Sequence, residues 1–158
     1  MKRLIALSLL FTILLVQPVG ANDKMPAMIL IHTPQATPDN IPEEHYYDSL
    51  ELLACCIAAE AGNQSEYGQR LVCDVVLNRV DDADFPDNIW DVIEQPNQFS
   101  VVTNNSINEV EPTEQIYRIV TEELESRTNS EVLYFTAGSY GKYGTKAFKH
   151  GNHYFCGK

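Results

Sequence analysis

Positive charge is scarce in this chain: 11 Lys and Arg stand against 22 Asp and Glu, a net −11. Nucleic acid binding needs basic patches over phosphates, so that class of partner is excluded. Adhesion to anionic surfaces is disfavoured for the same reason. Long apolar runs are scarce too. After residue 21 none approaches the ~20 residues of a spanning helix, so no stable membrane span is expected once a leader is removed. Histidine occurs four times, and only His150 and His153 lie close together. Gly151 between them speaks against a helical metal pair, and the cysteine spacings match no usual zinc pattern. No metal and no cofactor is expected. The cysteines are Cys55, Cys56, Cys73 and Cys156. Adjacent Cys55 and Cys56 are poorly placed to pair with each other. Disulfides involving Cys73 or Cys156 are permitted by export, three connectivities exist and sequence does not choose. The alternative is small buried hydrophobes. No internal repeat is visible.

What is present begins with residues 1–21. Lys2 and Arg3, the apolar run Leu4 to Val16 and the small-residue pattern Val19-Gly20-Ala21 read as a signal peptide, with an uncleaved anchor as the alternative. Its removal leaves 9 cations against 22 acids, net −13, in 137 residues, enough for one domain with a core. Residues 22–44 are proline-rich and polar and read as a flexible tether. Residues 45–158 form the domain, expected to be an extracytoplasmic monomer.

Within that domain Leu50, Leu53, Ile57 and Glu60 recur at helical spacing along one stripe. Glu60 therefore continues an apolar line toward a helix end. The carbonyl end of the helix and partial burial both disfavour the charged carboxylate. A raised carboxyl pKa is what a general acid needs, although helix-end glutamates more often reach water or pair with arginine. Asp48 with Glu51 fits a capping box, which starts this helix near Asp48. Gly62 supplies a C-terminal stop.

A second helix spans about Glu66 to Val80 and is apolar nearly all round, the pattern of a core helix. Asn78 and Arg79 at its end have structural roles near the site, Arg79 by pairing with a carboxylate or forking onto backbone carbonyls. Asp87 to Gln95 is a short helix, and Pro96 to Val102 a loop or extended run. Pro112 opens a helix to about Ser126, with Ile116, Ile119, Val120 and Leu124 inward. Glu131 to Ala137 reads as a strand and His153 to Cys156 as its partner. The glycines between them mark a flexible turn region. The fold class is α+β, mainly helical, with a small two-stranded element near the C-terminus.

The run Ala59-Glu60-Ala61-Gly62-Asn63-Gln64-Ser65-Glu66-Tyr67-Gly68-Gln69, then Val75-Val76-Leu77-Asn78-Arg79-Val80, Phe85-Pro86, Gln98-Phe99-Ser100, Tyr134-Phe135 and His153-Tyr154-Phe155-Cys156 together resemble the catalytic domain of the bacterial cell wall hydrolases that include the spore cortex-lytic enzymes. The resemblance spans about Leu52 to Cys156. It implies a lysozyme-like, lytic transglycosylase-like fold, peptidoglycan glycan strands as partner, and Glu60 as catalytic acid. It also implies that Gln98, Phe99, Ser100, Tyr134, Phe135 and His153, with Tyr154, line the substrate groove. Some spore enzymes carry a second glutamate where this chain has Gln64, and no separate peptidoglycan-binding module is visible. Glycoside cleavage commonly uses two carboxylates. With one well-placed glutamate, and Glu66 set to serve a helix dipole, lytic transglycosylation is the expected reaction. An N-acetylmuramoyl-L-alanine amidase and a non-catalytic wall-binding or structural spore protein are the alternatives.

Overall fold

The computed structural model describes residues 43–158. The signal peptide and residues 22–42 of the tether lie outside the described residues. The stripe Leu50, Leu53, Ile57 runs along α1 (Glu43–Ala61), with Leu53 and Ile57 fully buried and Leu50 packed against the core. The helix begins before Asp48, so Asp48 and Glu51 sit inside it and form no capping box. Glu51 instead accepts from the Tyr117 hydroxyl at 2.9 and 3.0 Å, which ties α1 to the later helix that carries Tyr117.

The apolar second helix is the centre of the fold. In α2 (Glu66–Asp81) every residue from Leu71 to Arg79 is buried. The Ser65 hydroxyl caps it by accepting from the Gly68 amide at 3.2 Å. Around α2 stand α1, α3 (Ile89–Glu94), α5 (Glu114–Glu125) and the first strand. Thr113 caps α5, so Pro112 precedes the helix instead of opening it. Ile116, Ile119 and Val120 face inward as expected, and Leu124 is only partly buried. Part of the run expected to be loop or extended is helical: α4 (Ser100–Thr103) is a single turn, followed by a 3-10 turn at Ser106–Asn108.

The sheet has three strands, not two. β1 (Tyr134–Ala137) and β2 (Thr145–His150) flank β3 (His153–Gly157), both antiparallel to it. β2 directly follows the turn region marked by Gly138, Gly141 and Gly144, where no strand was expected. Its residues Thr145-Lys146-Ala147-Phe148-Lys149-His150 are mostly exposed, so it carries one inward apolar group and almost no alternation. Phe135, Phe155 and Phe148 are directly opposed across the sheet and face the core. All four cysteines are free thiols, three of them buried, so they act as small core groups instead of staples.

One buried polar pair breaks the apolar pattern of α2. Asp74 and Glu123 are both fully buried between α2 and α5. Glu123 accepts from Arg70 at 2.7 Å, the Thr128 amide at 2.6 Å and the Thr128 hydroxyl at 2.8 Å. Asp74 Oδ2 accepts from the Asn129 amide at 2.8 Å, while Oδ1 has no N–H or hydroxyl partner. A hydrogen bond to the Glu123 carboxyl requires one of the two acids to hold a proton, and the raised pKa of Asp74 assigns it there. Burial first, then the hydrogen bond and charge of Glu123, push Asp74 up to about 8. The folded protein thus holds a proton that the unfolded chain releases near pH 3.8. Stability falls as pH rises between those values, by no more than about 1.4 kcal/mol per pH unit for one proton. Asp74→Asn keeps the donor and acceptor without the titration. Thermal melts of Asp74→Asn between pH 5 and 8 are expected to be flatter than those of the parent, with the higher Tm at pH 8. Equal slopes would exclude the shared proton.

Candidate active site

Glu60 lies in the last turn of α1, half-buried. The turn is tight. A Cβ on Gly62 would stand 2.3 Å from the Ala58 carbonyl oxygen, and Gly62 is not at positive φ. The glycine is required by close approach, not by a left-handed cap. Facing Glu60 is the N-terminus of α4. The Ser100 hydroxyl donates to Oε1 at 3.4 Å, and the backbone N–H groups of Val101 and Ser100 favour the charged carboxylate. Burial raises the Glu60 pKa and these donors oppose the rise, with burial the larger effect. The carboxyl is therefore biased toward its protonated form, yet its anion has donors waiting.

Glu66, the nearest acid in sequence, is committed elsewhere. It bridges Arg70 at 2.8 Å and Arg118 at 3.2 Å. Hydrogen bonds from Arg118 and Arg70 pull it down to about 2. No carboxylate is among the causes of the Glu60 shift.

The α4 turn is positioned by Phe99, which is 2% exposed. Its ring lies under the Arg79 guanidinium, 5.4 Å from the ring centre, and 6.3 Å from Phe135. Arg79 donates through Nε to the Leu133 carbonyl at 2.8 Å and also sits over Phe85 and Tyr134. Burial draws its pKa down to about 10. Asn78 donates to the Asn129 and Val132 carbonyls at 2.8 Å each. Both residues thus bind α2 to the segment leading into β1.

The expected groove residues divide accordingly. Gln98 and Ser100 are exposed and Ser100 touches Glu60. Phe99 is core, so it supports the site instead of stacking on a sugar. Phe135 is partly buried and lies 4.9 Å from the buried His153. Burial lowers the His153 pKa, with the charge of His150 adding to the effect, and its Nδ1 is buried without a partner. Tyr134 is partly buried against Arg79 and Phe85, and its outer side stacks on Tyr143.

Sequence reasoning missed the link between the sheet and the loop after Glu60. His150 Nε2 and Ser65 Oγ are 2.8 Å apart, and Gln64 Oε1 accepts from the Asn152 amide at 3.2 Å. Gly151 has φ +53, and a Cβ there would meet Gln64 Oε1 at 2.3 Å. The glycine lets the β2–β3 turn close over Gln64. It also missed the Val101 amide, which acts through the backbone and leaves no mark in residue type.

The profile of the cell wall hydrolase family matches residues 63–156. The chain belongs to the cell wall hydrolase family. The family match starts three residues after Glu60. A spore cortex-lytic enzyme of Bacillus cereus is 30% identical over 129 residues, 78% of this chain and 49% of that protein. The chain thus spans about half the length of that relative. The catalytic domain of the Bacillus cereus SleB protein is similar in structure, with a TM-score of 0.64 and 26% identity over 76% of this chain and 98% of that one. The catalytic domain of the germination-specific lytic transglycosylase SleB from Bacillus anthracis gives a TM-score of 0.61 at 24% identity, covering 76% and 99%. These likenesses bear out the mainly helical α+β fold expected from the sequence. Among the described residues no helix is long and apolar enough to cross a membrane.

Removing one donor to the Glu60 anion should raise its pKa further, since the charged form loses stabilisation. A carboxyl titration of Ser100→Ala by NMR is expected to place Glu60 above its value in the parent. An unchanged or lower value would exclude the Ser100 contact.

Proposed function

We propose that this chain cleaves peptidoglycan between N-acetylmuramic acid and N-acetylglucosamine by lytic transglycosylation, outside the cytoplasmic membrane. The observation that carries this reading is the solitude of Glu60 among the described residues. It is a half-buried carboxyl with a raised pKa and amide donors, while Glu66 is held by Arg70 and Arg118. Two-carboxylate hydrolysis needs a second acid to activate water or attack the sugar. One carboxyl suffices if the substrate supplies its own nucleophile.

Protonated Glu60 donates its proton to the glycosidic oxygen, and the bond from that oxygen to C1 of the muramic acid breaks. The anion formed is stabilised by the Ser100 and Val101 amides, whose positions are already set. It then accepts the proton of the muramic acid 6-hydroxyl as that oxygen bonds to C1. The products are a 1,6-anhydro end and a free hydroxyl on the leaving sugar. Glu60 finishes protonated, as it began, and no water is consumed. The burial of Glu60 that favours the acid and the amides that favour the base correspond to the two halves of this cycle. Membership of the cell wall hydrolase family and the likeness to spore cortex-lytic enzymes support the substrate class.

Mass analysis of digested peptidoglycan is expected to show anhydromuramic ends. Reducing muramic ends alone would sink transglycosylation, free peptide stems beside intact glycan would indicate an amidase, and binding without release a non-catalytic wall protein. Glu60→Gln should lower the rate by about 100- to 10,000-fold with an unchanged melt. In the parent, kcat/KM should fall as pH rises through the Glu60 pKa, which lies above 4.5, because the acid must enter the cycle protonated.

A further inference from the structure

Residues 43–158 contain 8 Lys and Arg, and most are spoken for. Arg70, Arg118, Arg127 and Lys158 pair with carboxylates, and Arg79 is buried among rings. Lys142, Lys146 and Lys149 remain. They are exposed and make no ion pair with any described carboxylate. Each sits instead over a tyrosine: Lys142 4.8 Å from the Tyr143 ring centre, Lys146 5.3 Å from Tyr140, Lys149 5.2 Å from Tyr154. Tyr140 meets Tyr154 edge-on at 5.0 Å. In a chain with 22 acids, residues 132–158 contain no Asp or Glu.

A bulge builds this face. Lys146 and Lys149 are three apart, which in a regular strand would put them on opposite sides. The register shifts between Lys146 and Phe148, so Lys146 pairs with Cys156 and Lys149 with Tyr154. Residues 154 and 156 share a side, and both lysines therefore project from the face opposite Phe148, Phe155 and Phe135. The far end of the hairpin docks through Asn152 and His150 onto Gln64 and Ser65, just after Glu60. The same hairpin thus carries the lysine face on one side and, at its tip, the contacts to the loop after Glu60.

We propose that Lys142, Lys146 and Lys149, with Tyr140, Tyr143 and Tyr154, bind the carboxylate-bearing peptide stems of the same peptidoglycan strand that Glu60 acts on. This rests on the peptidoglycan reading above and extends it to the part of the substrate beyond the sugars. Ammonium groups fixed over ring faces present point charges to carboxylates, while the exposed ring edges offer apolar surface to sugars and stem methyl groups. A phosphodiester polymer is the poorer fit, because forked phosphate recognition is the work of arginine and residues 132–158 have none. The acidic remainder of the protein repels an anionic polymer, so the complementary charge is confined to this face.

The test uses the full chain carrying Glu60→Gln, which binds without turnover, in sedimentation against purified peptidoglycan. Three forms are compared: intact, freed of phosphodiester polymers by hydrofluoric acid, and freed of stems by an amidase, which leaves only the lactyl carboxylate. Stem removal is expected to weaken binding about ten-fold, the scale of three exposed ion pairs, and acid treatment to leave it unchanged. Adding Lys142→Gln, Lys146→Gln and Lys149→Gln should abolish the preference for stems. Should that variant melt early, the stem comparison with unaltered lysines still decides. Equal affinity for stem-bearing and stem-free glycan overturns the proposal, and so does loss of binding after acid treatment. Stem-dependent binding without anhydro product from the parent would end the cleavage reading and leave the lysine face standing. A cleaving enzyme indifferent to stems would do the reverse.

Discussion

The guanidinium of Arg79 is the contact on which the site depends. A cation is costly to bury, and this one has one carbonyl, that of Leu133, and three rings to compensate it. The rings come from separate places: Phe85 after α2, Phe99 before α4, Tyr134 in β1. One side chain at the end of the core helix thus fixes three segments that share no backbone hydrogen-bond ladder. Cation–π contacts contribute about 2 kcal/mol or more when desolvated, enough to hold a one-turn helix that has no stability of its own. Phe99 is the residue before that helix, so the Ser100 and Val101 amides inherit their placement from Arg79.

The environment of Glu60 follows from this chain of support. Its carboxyl is enclosed enough to resist ionisation, and the amides that receive its anion belong to a turn held from behind. Glu66 shows the contrast within a few residues. Exposed and clamped by two arginines, it is a permanent anion that stitches α2 to α5 and has no proton to give. Two glutamates in neighbouring turns therefore have opposite chemistry, set by what surrounds each.

Periodicity carried the helices well. α2 was legible because nothing but a core accommodates a helix apolar on every side, and Glu60 stood out because it continued a buried stripe. Tertiary partners decided what was not legible. The start of α1 was misplaced because Asp48 looks like a cap but lies mid-helix. β2 was missed because an edge strand with one inward phenylalanine has no alternation to read. Phe99 looked like a sugar-stacking residue because aromatic type does not reveal which way a ring faces. Asp74 passed unnoticed inside an apolar run, its partner Glu123 lying far away in sequence. The donors to Glu60 include backbone amides, which any residue type supplies.

The irregularity in β2 has one more consequence. With strand order β1-β3-β2, the outer side of β2 is an open edge among the described residues, and such an edge invites another chain to add itself as a strand. An unbroken β2 would present an even row of amides and carbonyls to a passing copy. The shift between Lys146 and Phe148 interrupts that row, and the exposed ammonium groups beside it repel a like-charged neighbour. The displacement that gathers the lysines on one face therefore also guards the molecule against self-association into sheets.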